Sequence, residues 1–174
     1  MIQDPMRTRR QIRELRKFCR AILRPNSVVA ELGCFYGEST VEFARHSAKV
    51  YAIDSWDDSY LSSIKERADN AMSEVETIFD EMTHDSPKII KIKANHQQAR
   101  NSFVEASLDV VYIDIVHTEE ATSQAIDLWI PTIREGGFIA GHDYVKEFPG
   151  VITAVDSRKG DLMLWGDGNW AWQV

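Results

Sequence analysis

The sequence predicts an α/β fold: a mostly parallel central sheet, helices on both faces, and a closing antiparallel hairpin. Three observations carry that expectation. Apolar strand-like runs alternate with segments of helical periodicity along the chain. The run "LDVVYIDI" (108–115) is apolar almost throughout, as a central strand covered on both faces should be. The tail "LMLWGDGNWAWQV" reads as two strands around a Gly-Asp-Gly-Asn turn.

Each element has its own signal. A first helix, ending near Arg24-Pro25, puts Ile12, Leu15, Phe18 and Ile22 on its apolar side and leaves its arginines to solvent. "SVVAELG" is a buried strand running into a glycine turn, and residues 38–46 make a short helix. "KVYAID" is the second strand, closing at Asp54. A long amphipathic helix follows, with Leu61, Ile64, Ala68, Met72, Val75, Phe79 and Met82 at helical spacing. "KIIKI" (88–92) is the third strand, followed by a helix from about Gln97 to Glu105. After the fourth strand Thr118 can cap a helix, with Glu119 and Glu120 placed well for its dipole. That helix stops near Pro131, "GGFIAG" opens the fifth strand, and Pro149-Gly150 introduces a helix through about Ser157.

The totals limit the function classes. One domain, residues 1–174, is long enough to bury a core without disulfides, and no apolar run reaches the ~20 residues of a membrane span. The N-terminus has no apolar signal core, so a cytoplasmic protein is expected, with Cys19 and Cys34 as free thiols. Net charge is −7, split between +6 over residues 1–25 and −13 over the rest. An acidic body argues against a nucleic-acid groove, which needs clustered cations.

"AELGCFYGEST" (30–40) carries the functional signal. A dinucleotide fingerprint starting at Gly33 needs glycine at positions 35 and 38, which hold Phe35 and Glu38. Phe35 denies close backbone approach to a pyrophosphate, and Glu38 sets negative charge at the helix N-terminus where a diphosphate would sit. The loop therefore suits a phosphate-free cofactor, with a cation for Glu31 to meet. Asp54 lies 21 residues past Gly33, where a carboxylate can accept from ribose hydroxyls.

The order Glu31-x-Gly33-x-x-x-Gly37 resembles the first motif of the class I, Rossmann-like methyltransferases that use S-adenosyl-L-methionine (SAM). "VYIDIVHTEE", "GGFIAGHDY" and "PGVITAV" are similar to later motifs of methyltransferase family 24, a branch of small-molecule and sugar O-methyltransferases. The resemblance covers roughly residues 27 to 174. It implies cofactor contacts from Glu31, Gly33, Cys34, Phe35, Tyr36, Gly37, Ser39, Asp54 and Ser55. Asn95, His96 and Asp114 join them. Trp56 could cover the adenine, line the acceptor pocket or belong to the core.

Methyl transfer to a hydroxyl needs a proton acceptor, and His117, three residues past Asp114, is the candidate base. Asp114, His142 and Asp143 end the fourth and fifth strands, where two carboxylates would repel without a cation or proton between them. By the resemblance, Asp114 and Asp143 could hold magnesium or a similar divalent ion; a neighbouring His142 would suit zinc, manganese or iron better. Asp114 could instead hold the amino tail of SAM, and His142 with Asp143 could simply orient the Tyr144 loop.

The expected reaction is methylation of a small-molecule or sugar hydroxyl. The rivals are a methyltransferase acting on a macromolecule, and a SAM-binding module without its own catalysis. Acceptor specificity is expected from the first helix, the 55–70 segment and the loop after Asp143. The amphipathic first helix could also complete the site of a second copy in a homo-oligomer.

Overall fold

The computed structural model describes residues 7–57, 71–158 and 160–174. Leu61, Ile64 and Ala68, with most of the 55–70 segment, lie outside the described residues. The strands are β1 (Val28–Leu32), β2 (Lys49–Asp54), β3 (Ile89–Lys93), β4 (Leu108–Ile113), β5 (Ile133–Gly141), β6 (Met163–Trp165) and β7 (Asn169–Gln173). Among the described residues the α-helices are α1 (Arg9–Ile22), α2 (Glu38–His46), α3 (Met72–Thr83), α4 (His96–Ala99), α5 (Glu119–Trp129) and α6 (Pro149–Arg158).

The seven strands form one sheet in the order β3-β2-β1-β4-β5-β7-β6. The first five are parallel, and β7 runs antiparallel to both β5 and β6. Strand order reverses between β1 and β4, so the connections leaving their carboxyl ends part and open the crevice where open α/β sheets bind ligands. Among the described residues no helix is long and apolar enough to cross a membrane.

Alternate residues of the central strands feed two cores. Val29, Val110 and Tyr112 pack with Leu15, Phe18, Cys19 and Phe43 on the side of α1 and α2. Ala30, Leu32, Val111 and Ile113 face Ile126, Trp129, Val151 and Trp170 on the other side. Trp170 and Trp172 are buried, and Trp165 packs on Phe18 at 5.1 Å, so the tail tryptophans close the core. Cys19 and Cys34 are buried free thiols.

Local chemistry sets the helix ends. Thr8 and Gln11 form a reciprocal capping box at the start of α1. The Thr118 side chain accepts from the Ala121 N–H at 3.2 Å, as its sequence position predicts. Two elements differ from expectation. The helix expected to reach Glu105 stops early: α4 gives way to a 3₁₀ turn over Arg100–Ser102. Phe103 turns extended there and packs edge-on against Tyr51 and Trp129, so a tertiary aromatic contact overrides helix propensity. β5 begins at Ile133 rather than Gly136, because Ile133 already pairs with Leu108. The register then shifts before Val110, which places the two glycines in an irregularity inside the strand.

Gly33 is where β1 and β4 come closest beyond the sheet. It has φ +86°, and a Cβ there would lie 1.9 Å from the Asp114 carbonyl oxygen. The first thing a side chain at position 33 would meet is the protein's own backbone.

Two stability predictions follow from this packing. Phe18 is fully buried against Phe43, Tyr112 and Trp165. Phe18→Ala should therefore cost about 3–5 kcal/mol in urea unfolding; a loss below about 1 kcal/mol would detach α1 from the core. Gly33→Ala should lose about 1–2 kcal/mol from its left-handed backbone alone, with the Asp114 clash added. A wild-type melting temperature for Gly33→Ala would contradict the close approach of the two strand ends.

Candidate functional site

The crevice between β1 and β4 opens into a cavity of about 500 Å³, within the range of small-molecule sites. Its walls come from the loop after β1, the ends of β2, β4 and β5, the start of α4, and two residues ahead of and within α1, Arg7 and Gln11. Of the cofactor residues expected from the sequence, Gly33, Cys34, Phe35, Tyr36, Ser39, Asp54, Ser55, Asn95, His96 and Asp114 line it. Glu31, Gly37 and Trp56 are not among the lining residues.

Each of those three has a visible structural job. Glu31 is fully buried and accepts from the Ser39 and Thr40 hydroxyls, tying β1 to the first turn of α2. Burial pushes its carboxyl up to about 7, the two hydroxyls only partly offsetting that. Gly37 has φ +86°, and a Cβ there would press into the Phe79 ring at 2.9 Å. Trp56 is core: its ring packs 4.8 Å from Phe79, lies under the Lys91 ammonium at 4.9 Å, and its indole N–H donates to the Phe35 carbonyl.

Asp54 shapes the loop that it borders. Its Oδ2 accepts from the backbone N–H groups of Cys34 at 2.9 Å and Phe35 at 3.0 Å, and its Oδ1 from that of Trp56 at 2.9 Å. A carboxylate offers about four acceptor positions, so roughly one is left for a ligand. The sequence suggests two ribose hydroxyls on this group; the backbone has taken most of its capacity. Asn95 caps α4 by accepting from the Gln98 N–H at 2.8 Å. His96 Nδ1 accepts from the Trp129 indole N–H at 3.3 Å. Burial lowers the His96 pKa, so the ring is neutral and carries its proton on Nε2.

At the ends of β4 and β5 the charges alternate. His117 Nε2 lies 2.7 Å from Asp143 Oδ2 and 3.9 Å from Asp114 Oδ1. His142 Nδ1 lies 3.0 Å from Asp143 Oδ1, and its Nε2 lies 3.3 Å from Asp167 Oδ2. Burial opposes charge on His117, but Asp114 through space and Asp143 by hydrogen bond outweigh it and raise its pKa to about 9. His142 is likewise raised to about 9, with Asp143 and Asp167 overcoming burial. Between the two imidazoles, and against its own burial, the Asp143 carboxyl sits well below the usual range. The repulsion expected of two carboxylates is thus answered by imidazolium protons. His117 at neutral pH is an acid waiting to lose a proton rather than a free base.

One nitrogen or oxygen from each of Asp114, His117 and Asp143 can be chosen so that all lie within 4.8 Å of one another, a spacing one divalent ion could span. Two carboxylates and an imidazole fit manganese, iron or zinc better than magnesium.

Three residues at the site carried no functional signal in the sequence. Arg7 enters from the chain's start and donates to Asp114 Oδ2 at 2.8 Å. Asp167 comes from the β6–β7 turn to meet His142. Phe148, in the loop after β5, packs against His117 with centroids 4.1 Å apart and the rings tilted by 40°. Asp167 is 25 and Arg7 is 107 residues from its partner, so no local pattern could reveal either contact.

A family model described as a methyltransferase domain, family 24, matches residues 30–144. No protein with a curated description matches the sequence. Solved structures with this fold include a candidate O-methyltransferase from Klebsiella pneumoniae, 17% identical with TM-score 0.67, aligned over 96% of this chain and 81% of that one. Another is a candidate methyltransferase from Streptococcus mutans in complex with S-adenosylhomocysteine, 18% identical with TM-score 0.65 over 95% and 97% of the two chains. A third is an rRNA methylase from Streptococcus thermophilus, 16% identical with TM-score 0.64 over 96% and 95%. At such identities the likeness speaks for the fold, that of Rossmann-like SAM-dependent methyltransferases, and the family match spans two thirds of the sequence: the chain belongs to methyltransferase family 24.

Proposed function

We propose that the chain transfers a methyl group from SAM to a hydroxyl of a small molecule or sugar. The observation that carries this reading is the placement of His117, flanked by Asp114 and Asp143, on the same cavity as the Gly33 loop and Asp54. Gly33, Tyr36, Ser39 and Asp54 would border the cofactor, and Asn95 and His96 its adenine. The acceptor oxygen would attack the methyl carbon in line with the breaking C–S bond, releasing neutral S-adenosylhomocysteine. The acceptor's proton would pass to His117 in its neutral form, and Phe148 would hold that ring in place from behind.

The same residues support a divalent ion on Asp114, His117 and Asp143, replacing the His117 proton. When bound, such an ion would lower the acceptor's hydroxyl pKa. A macromolecular acceptor is the second reading. It is favoured by the exposed cations Arg9, Arg10, Arg13, Lys17 and Arg20 along α1, and association that weakens steeply with salt would support it.

SAM or S-adenosylhomocysteine should raise the melting temperature, whereas NAD should not. Asp54→Ala should weaken SAM binding by about 1.5–3 kcal/mol and lower the ligand-free melting temperature too, since the loop loses its backbone acceptor. Unchanged SAM affinity in Asp54→Ala would reject this cofactor site.

The pH profile tests the base. With a pKa of about 9, only the fraction of His117 that has lost its proton can accept another. Turnover of an acceptor found by panel screening should therefore climb from neutral pH and level off above about 9. His117→Ala should lower the plateau by about 10²–10⁴-fold while SAM affinity holds. A flat profile between neutral pH and 9.5, or full turnover by His117→Ala, would remove His117 from the chemistry.

A further inference from the structure

Arg7 belongs to the start of the chain yet sits at the carboxyl ends of β4 and β5. Its backbone N–H donates to Glu38 Oε2 at 3.0 Å, and its guanidinium Nη2 donates to Asp114 Oδ2 at 2.8 Å. Its Nη1 lies 3.4 Å from His142 Nε2. Only 12% of the side chain remains exposed, although the residue precedes the first helix. Thr8, the next residue, caps α1. Just ahead of the helix, Arg7 is therefore held by its backbone to Glu38 and by its guanidinium to Asp114.

That carboxylate is already divided. Asp114 turns Oδ1 toward His117 and Oδ2 toward Arg7. A divalent ion drawing on Asp114, His117 and Asp143 would stand a few ångströms from the guanidinium, among groups that are mostly buried and weakly screened. Displacing the His117 proton would remove one positive charge from this neighbourhood, but the ion would add two. Arg7 is the cation of the cluster best placed to yield, because His142 directly follows β5 and His117 is packed against Phe148, while Arg7 stands ahead of α1 and outside the sheet.

We propose that Arg7 is a latch imitating the metal: its guanidinium occupies Asp114 while no ion is bound, and a divalent cation at Asp114 displaces it. This inference rests on the cation-binding reading of Asp114, His117 and Asp143 given above. Because coupling between two binding events is reciprocal, the factor by which the latch weakens the ion is the factor by which the ion weakens the latch.

The test uses the full chain and Mn²⁺, with affinity read by titration calorimetry and release of Arg7 read by the rate of trypsin cleavage after Arg7, Arg9 and Arg10. Arg7→Gln should bind Mn²⁺ roughly tenfold more tightly than the wild type, within the usual span of coupling. Arg7→Lys keeps the charge and should stay near the wild-type affinity. Mn²⁺ should speed wild-type cleavage after Arg7 several-fold, and Asp114→Asn should be cleaved fast with or without the ion. Equal Mn²⁺ affinity in the wild type and Arg7→Gln would overturn the latch while leaving the ion site intact. Arg7→Lys binding as tightly as Arg7→Gln would also overturn it, since charge would then not be what excludes the ion. Absence of Mn²⁺ binding from all the Arg7 forms would overturn the cation reading and the latch together.

Discussion

The site depends on the meeting of two backbones. Gly33 and Asp114 end neighbouring strands, and the Asp114 carbonyl stands where any side chain at position 33 would begin. Hydrogen bonds lock the approach from both flanks: the Gly33 N–H donates to the Ile53 carbonyl at 2.9 Å, and the Asp114 N–H to that of Leu32 at 2.8 Å. From this point the chain turns one way into the loop that Asp54 organises, and the other way into the loop that presents His117. A cofactor seated against the first loop is necessarily beside the groups of the second. Strand order supplies the crevice, and the missing Cβ draws its walls together.

The electrostatics follow from that crowding. Asp114, Asp143 and Asp167 converge on a partly buried edge, and each is matched by a cation: Arg7 for Asp114, the two imidazoles for Asp143, and His142 for Asp167. Unpaired carboxylates at such burial would protonate or expel one another. Their matching makes the ligand-free site nearly self-neutral and keeps both histidines protonated at neutral pH. On the proposed chemistry, His117 must first give up its proton, whether to solvent at higher pH or by displacement when a divalent ion takes its place.

Much of this was legible in the sequence, and what was not has a physical reason. Apolar runs and glycine turns located all seven strands, because a buried parallel strand has few alternatives to being apolar throughout. The loop glycines and Asp54 were found by spacing, since the strand-loop-helix geometry fixes that spacing locally. A charged residue beside a glycine loop suggests a ligand, but the hydroxyls of Ser39 and Thr40, in the first turn of α2, are the groups that Glu31 meets here. Trp56 went to the core because Phe79 and Lys91 converge on it from α3 and β3. Arg7 and Asp167 reach the site only through tertiary folding, and the basic start of the chain read as a solvated helix face. One of its eight cations is buried at the site.

Backbone strain marks the same place independently. Among the described residues five non-glycine positions have positive φ, and four of them, Phe35, Trp56, Asp143 and Asp167, belong to the loops around the cavity. Each such conformation costs on the order of 1–3 kcal/mol and persists only where its surroundings over-determine it. Those surroundings can be named. Asp54 accepts from the N–H groups of Phe35 and Trp56, so one carboxylate holds two strained residues. Asp143 is gripped through both oxygens by His117 and His142, and Asp167 is bound to His142 across the terminal hairpin. The carboxylates at this site thus do two kinds of work at once, setting charge and holding the backbone off its preferred angles. A substitution at Asp54 or Asp143 removes both together, so its effect on binding can be separated from its effect on loop shape only by measuring stability without ligand alongside affinity.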